Sequence, residues 1–229
     1  MDSYFPMKSE GKTAALLEAL SKVQPSSLGH YLEAALPSDI KALTPFSHCL
    51  GTAITVYQPT SDSTPVHLAL ELISPGDVLL IDRGGDSRIA CVGEMVATAA
   101  QQRGAKAIIV NGAVTDIEEI SALGMPIYAK GTSVITTRPL YSPGARLCSE
   151  IVLDDIVIRT GDIIFGNING LLSIDPCDKN IWNIIEKAIV DEEKEIKWKR
   201  QLEQGISLAS LNKVDKEMFQ QYVCRIPQI

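Results

Sequence analysis

The chain has 229 residues, 45% hydrophobic and 21% charged, with 21 basic against 28 acidic side chains and a net charge of −7. That composition supports a substantial core. It argues against a nucleic-acid partner, because phosphate backbones call for clustered Lys and Arg. The basic residues that do cluster, Lys194 to Arg200, alternate with Glu195 and apolar residues, as on a solvated helix face. No apolar run approaches the roughly 20 residues of a membrane span, so no membrane association is expected. Cys49, Cys91, Cys148, Cys177 and Cys224 are scattered and form no CxxC pair. They read as small core residues of a protein in a reducing compartment, not as a disulfide framework or a zinc site. The opening "MDSYFPMKSE" has no apolar signal-peptide core, and a cytoplasmic location is expected.

In chain order, "GKTAALLEALSK" (11–22) puts Ala14, Leu17 and Leu20 on one helical face. Pro25 to Gly29 should break that helix, with a second short helix around His30 to Ala35. "GTAITVY" (51–57) is rich in strand formers, and "VHLALELI" (66–73) reads as a helix. "DVLLID" (77–82) predicts a buried strand, "EMVATAAQQR" (94–103) a helix stopped by Gly104, and "AKAIIVN" (105–111) the next strand. This strand–helix–strand crossover requires parallel strands. "MPIYAK" (125–130) repeats the strand signal. Beyond it, "EIVL" and "IVIR" flank Asp154-Asp155 as a hairpin, and "NING" (167–170) turns a second antiparallel pair. Ile181, Ile184, Ile185, Ala188 and Ile189 form the stripe of a docked helix running to about Gln204. Its far half, highly charged with Ile196, Trp198 and Leu202, reads as an arm leaving its own core or packing on a neighbouring subunit. The expected division is an α/β domain over 1–178, with N-terminal helices in 10–35, and a helical arm over 179–229.

Motifs for nucleotide binding, zinc proteolysis and the serine-hydrolase elbow are missing. His30, His48 and His67 show no metal-ligand spacing and read as ordinary polar positions. What remains is the crossover and its acids. Gly93 marks a strand-to-helix entry, where it permits an unusual backbone angle or where first-turn amides bind an anion. Glu94 lies in that turn, and Asp116 follows the next parallel strand. Ligands of open α/β sheets bind beyond the carboxyl ends of such strands, so these residues should converge. Oxygen donors with waters suit Mg²⁺ or Mn²⁺. The local alternative is structural: Thr115-x-x-Glu118 has the form of a helix capping box.

These segments resemble a known family. "PGDVLLIDRGGDSRIACVGEMVATAAQQRGAKAIIVNGAVTDIEEISALGMPIYAKGT", "RTGDIIFGNINGLLSI" and the helix ending "EKEIKWKRQLEQGISLASL" look like RraA-like proteins, which include the class II 4-hydroxy-4-methyl-2-oxoglutarate aldolases. The resemblance runs from about Leu50 to Leu211. It implies a β/β/α swivelling-type domain with parallel and antiparallel strands, assembled as a trimer or hexamer. It also implies an enzyme, a metal-dependent carbon–carbon lyase. Asp116 would hold one divalent cation, with Glu119 at the later acidic position of the family motif. Glu94 would hold metal-bound water, and Gly93, Glu94, Met95 and Val96 would bind the carboxylate of pyruvate through backbone amides. Glu195 would arrive from a neighbouring subunit. In such enzymes the cation polarises a 2-oxo acid and stabilises the enolate left by C–C cleavage.

The sequence departs from the pattern at telling places. Thr115 stands where the family has an arginine that touches the substrate, and a hydroxyl cannot supply a bidentate cationic clamp. "SSLGHYL" (26–32) lacks the family's early aspartate, and Asn167 and Asn169 replace acids. Arg83 or Arg88 could face the ligand instead, and Arg88, near the glycine loop, is the candidate substitute for binding substrate. Three readings stay open: a 2-oxo-acid lyase (retro-aldol or oxaloacetate-type decarboxylation), a non-catalytic regulatory protein, or the same scaffold used for another reaction on a carboxylated substrate.

Overall fold

The computed structural model describes residues 10–215 and 218–219. The opening segment through Ser9, Cys224 and most of the end of the expected arm lie outside these residues. Helix α1 (Glu10–Leu20) buries Leu16 and Leu20. The short α2 (Pro25–Leu28) starts on a proline, whose missing N–H and fixed φ suit a first helical turn. So Pro25 to Gly29 contains a helical turn, and the helix expected around His30 to Ala35 does not form. That stretch pairs instead with a sheet edge: Ser173 N–H donates to the Ala34 carbonyl at 2.9 Å and Leu36 N–H to that of Leu171 at 2.9 Å.

The other elements follow the sequence pattern closely. They are β1 (Lys41–Ala42), β2 (Cys49–Tyr57), α3 (Thr64–Leu72), β3 (Asp77–Asp82), α4 (Glu94–Gln102), β4 (Ala107–Val114), α5 (Ile117–Leu123), β5 (Ile127–Thr132) and β6 (Arg146–Leu147). They continue with β7 (Ile151–Leu153), β8 (Ile156–Ile158), β9 (Ile163–Asn167), β10 (Gly170–Ile174), α6 (Ile181–Glu203) and α7 (Leu208–Leu211). The main sheet runs β1-β5-β4-β3-β2-β9-β10, with β6 also on β2. Strands β2 to β5 are parallel, while β1, β6, β9 and β10 pair antiparallel.

Both faces of this sheet are covered, which explains why β3 and β4 are buried from end to end. Successive side chains alternate between faces. Leu79 and Ile81 pack with Val66, Ala69, Ala97, Ala100 and Ile120 of α3, α4 and α5. Val78 and Leu80 pack instead with Ile151, Leu153 and Ile158 of the β7–β8 hairpin. The result is a β/β/α layering of hairpin, mixed sheet and helices, as the resemblance implied. A third cluster joins Leu16, Leu20 and Leu28 to Phe165, Ile181, Ile184, Ile185 and Ala188. The first turns of α6 therefore belong to the core of the α/β unit, whereas Ile196 and Leu202 farther along are exposed. Among the described residues, no helix is long and apolar enough to cross a membrane.

Ile184→Ala should leave a cavity where α6 docks and destabilise the protein by roughly 3 kcal/mol, read from the midpoint of urea unfolding.

Candidate functional site

The connection from β3 to α4 does not simply cross the sheet end. Cys91 N–H donates to the Ala113 carbonyl at 3.2 Å and Thr115 N–H to that of Val92 at 2.9 Å. On the other side, Ala90 N–H donates to Ile135 at 2.7 Å and Thr137 N–H to Ala90 at 3.0 Å. Residues 90–92 are thus wedged as extended backbone between the end of β4 and residues 135–137. This wedge sets Gly93, at the entry to α4, beside Asp116, at the entry to α5.

Asp116 has a left-handed backbone, φ 56 and ψ 42, which costs an L-residue about 1–2 kcal/mol. Its Oδ2 accepts the Glu94 N–H at 3.0 Å, and its Oδ1 accepts the Thr115 hydroxyl at 3.1 Å. Neither Asp116 oxygen caps α5. The capping box expected from Thr115-x-x-Glu118 is therefore not formed. Asp116 occupies the cap position, and its carboxylate reaches the positive end of α4 rather than that of its own helix. Gly93 has an ordinary extended backbone, φ −132, so unusual angles do not explain it. Close approach does: a Cβ there would lie 2.5 Å from Asp116 Oδ2 and 3.0 Å from Thr115 Cγ2. Because Glu94 N–H is engaged by Asp116, the Met95 and Val96 amides remain as the first-turn donors without an intrahelical acceptor.

Gly93, Met95, Val96, Thr115 and Asp116 all border one cleft of about 230 Å³. The Glu94 side chain is exposed in the same helical turn. Glu119 is exposed in the first turn of α5, and Glu195 on the free half of α6; neither borders the cleft. Arg88 also lies outside the lining: its side chain is 86% exposed, with Nε 3.5 Å from Asp86 Oδ1. Arg83 is fully buried and is used in cross-linking loops: it donates to the Gln58 carbonyl at 2.8 Å and to that of Thr60, and pairs with Asp86 at 3.3 Å. Among the described residues, no Lys or Arg borders the cleft.

Ser63, His67, Thr136, Thr137 and Pro139 also line the cleft, and sequence reasoning did not find them as site residues. Their position depends on long-range pairing: Ser63 N–H donates to the Arg138 carbonyl at 2.8 Å, and Arg138 N–H to that of Ser61 at 2.9 Å. Asp62 locks this wall. It accepts N–H bonds from Thr64 at 2.9 Å, Leu140 at 2.9 Å and Ser142 at 2.6 Å. Burial alone would raise its pKa, but the bonds from Leu140, Thr64 and Ser142 outweigh that and hold it well below the usual carboxylate range. Cys91 borders the cleft too, yet burial pushes its thiol up to about 12 despite the nearby Arg83 charge. It stays a neutral core residue rather than a nucleophile. A larger hollow of about 660 Å³ lies at the starts of β2 and β3, by Thr52, Gly76 and Asp77, at the opposite end of the sheet from Asp116.

A mixed sheet of this topology, covered by helices on one face and a hairpin on the other, defines the class as an α/β protein whose strand ends bring a carboxylate to a helix N-terminus. The family model described as Aldolase/RraA matches residues 13–172, and the chain belongs to the RraA-like family. It is 32% identical over 153 residues to a Halalkalibacterium halodurans protein named "Putative 4-hydroxy-4-methyl-2-oxoglutarate aldolase", covering 67% of this chain and 71% of that one. An Arabidopsis thaliana protein of the same name, numbered 3, is 28% identical over 140 residues, covering 58% of this chain and 83% of that one. Among solved structures, the RNA-processing inhibitor RraA from Thermus thermophilis superposes with a TM-score of 0.58 at 24% identity, covering 64% and 88% of the two chains. Streptomyces coelicolor RraAS2, described as an unusual member of the RNase ES inhibitor RraA protein family, gives 0.68 at 21% identity, covering 81% and 96%. These likenesses establish the shared fold.

Gly93→Ala should force Asp116 away from Glu94 and destabilise the protein by about 1–3 kcal/mol, measured by chemical unfolding. Asp62 gives a pH signature. Its folded-state pKa is depressed, so its stabilising contribution is fully present above about pH 4 and is lost as pH falls through the lower folded value. Asp62→Asn should lose roughly 2 kcal/mol at neutral pH and show a shallower acid limb in a pH series of melting curves.

Proposed function

We propose that this chain is a divalent-metal-dependent lyase acting on a 2-oxo acid, by retro-aldol cleavage that releases pyruvate or by decarboxylation of an oxaloacetate-type substrate. The observation that carries this reading is the meeting of the Asp116 carboxylate with the first turn of α4 in one cleft. A carboxylate anchor and an anion-binding helix end are the two elements that a metal-assisted reaction of a 2-oxo acid requires. The names of the relatives in Halalkalibacterium halodurans and Arabidopsis thaliana agree with it.

The donor set suits Mg²⁺ or Mn²⁺ in kind, because Asp116 offers hard oxygens at an exposed position. No group of three or more His, Cys, Asp or Glu side chains gathers for a metal among the described residues. An ion here would be held by Asp116 directly, with waters oriented by Glu94 and Glu119 and by Glu195 of a neighbouring copy. When bound, such an ion supplies a Lewis acid for the 2-oxo group. The chain's own residues do the rest. Met95 and Val96 amides hold the substrate carboxylate, Gly93 leaves room for the approach, and the Thr115 hydroxyl fixes the orientation of Asp116.

The site would be completed by assembly as a homotrimer or hexamer, with the exposed far half of α6, rather than its core-docked first turns, reaching a neighbour. Exposed Met95, Val134, Ile135, Leu140 and Tyr141, and exposed Ile196 and Leu202 on α6, are the apolar surfaces such an assembly would cover. A small carboxylated molecule is the partner of this cleft, and a reducing, cytoplasmic setting suits the free thiols. A second reading, a non-catalytic regulatory protein, is favoured by one specific feature: Thr115 stands in the arginine's place and, among the described residues, no Lys or Arg borders the cleft. The same feature fits a scaffold recruited to another reaction on a carboxylated substrate.

Incubation with a panel of 2-oxo acids and Mg²⁺ or Mn²⁺, followed by detection of pyruvate, tests the lyase. Turnover is expected for at least one substrate, and Asp116→Ala should lower it by about 10²-fold or more. Unchanged turnover in Asp116→Ala would remove the site.

A further inference from the structure

The hollow of about 660 Å³ at the far end of the sheet has the size of a small-molecule site. Ala14 and Leu17 of α1 and Leu72 of α3 border it, and Pro75 and Pro176 extend its apolar surface. The charged residues on its border are Asp77, Asp162, Asp175 and Arg159. Arg159 is paired with Glu150 at 2.9 Å, and its side chain is largely exposed. The charge offered to a ligand is therefore negative.

Asp162 is the informative member. Its backbone is fixed on β2, with the carbonyl accepting Ala53 N–H at 2.8 Å and its own N–H donating to the Arg159 carbonyl at 3.0 Å. The residue is only 6% exposed. Its Oδ2 accepts the Arg159 N–H at 2.8 Å, and among the described residues no hydrogen bond reaches Oδ1. Asp162 borders two hollows, the large one and a smaller one of about 360 Å³ that adds Asp155 and Asp178 to its border. Burial raises the pKa of Asp162, the Arg159 N–H bond lowers it, and the nearby Asp175 charge raises it again. A carboxylate so placed is costly to keep ionised without a cation. Among the described residues no group of three or more His, Cys, Asp or Glu gathers for a metal ion, and the apolar walls favour a cation that carries its own apolar body. An anionic ligand would be repelled by the three acids, and a neutral one would forgo a charge-assisted bond.

We infer that this hollow is a second ligand site, which takes a small organic ammonium with an apolar body, the ammonium meeting Asp162 and the body lying against Ala14, Leu17 and Leu72. The inference does not depend on the 2-oxo-acid reading, because Asp116 lies at the opposite end of the sheet.

The test is isothermal titration of the full chain with three probes of one shape: phenethylammonium, 2-phenylethanol and 3-phenylpropanoate. Phenethylammonium is expected to bind saturably, about tenfold or more tightly than either of the others, as one charge-assisted hydrogen bond allows. Asp162→Asn keeps an acceptor for the Arg159 N–H and removes the charge, so it should weaken the ammonium about tenfold and leave the alcohol unchanged. Ala14→Trp, at an exposed helix position, should fill the hollow and abolish binding, while Asp116→Ala should bind as wild type does. Circular dichroism of each variant confirms the fold. The inference is overturned if phenethylammonium does not bind wild type, if the alcohol or the acid binds as tightly, or if Asp162→Asn keeps the full affinity. Loss of binding in Asp116→Ala but not in Ala14→Trp would place the probe in the strand-end cleft and overturn it too.

Discussion

The site depends on one contact, the 3.0 Å hydrogen bond from Glu94 N–H to Asp116 Oδ2. It ties the entries of two neighbouring helices together at the ends of adjacent parallel strands. Several features of the chain are consequences of that closeness. Gly93 has no side chain because an atom there would collide with the carboxylate. Asp116 adopts a left-handed backbone, and Thr115 lends its hydroxyl to the second oxygen. Residues 90–92 are held as a wedge so that the two helix entries face each other. Local strain of this sort persists only where surrounding structure fixes it, and it concentrates at functional sites.

The electrostatics of the cleft are unbalanced. A carboxylate lies at the positive end of α4 with no Lys or Arg in the lining among the described residues, while Arg83 is sealed into the loops beside it. Such a site has charge to attract a cation and amides to receive one anionic group. It lacks the guanidinium clamp that the family pattern would place at position 115. On the proposed reading, its chemistry would be that of a single ion and a single carboxylate, with hydroxyls around them.

Much of this was legible in the sequence, for physical reasons. The crossover from β3 through α4 to β4 was readable because period and length change sharply between "DVLLID" and "EMVATAAQQR". The convergence of Gly93 and Asp116 followed from parallel strands ending at one edge. The capping box, the local alternative, does not form, because the partner of Asp116 lies 22 residues away, where a local rule does not reach. The helix expected around His30 to Ala35 lost to backbone pairing with β10, a non-local choice invisible to periodicity. Ser63 was not read as a site residue and His67 was read as an ordinary polar position, because the wall they form depends on Asp62 binding Leu140 and Ser142, 78 and 80 positions on. Nothing in "STPVHL" announces that its serine hydroxyl makes no cap bond and that Asp62 binds the Thr64 N–H instead.

The central claim is that Asp116 anchors a divalent ion at the α4 entry. Isothermal titration of wild type and Asp116→Ala with Mn²⁺ tests it without reference to any substrate. Saturable binding by wild type that vanishes in the variant, while the variant keeps the wild-type fold by circular dichroism, is the predicted result. Equal affinity in the two proteins, or no saturable binding by wild type, would contradict it.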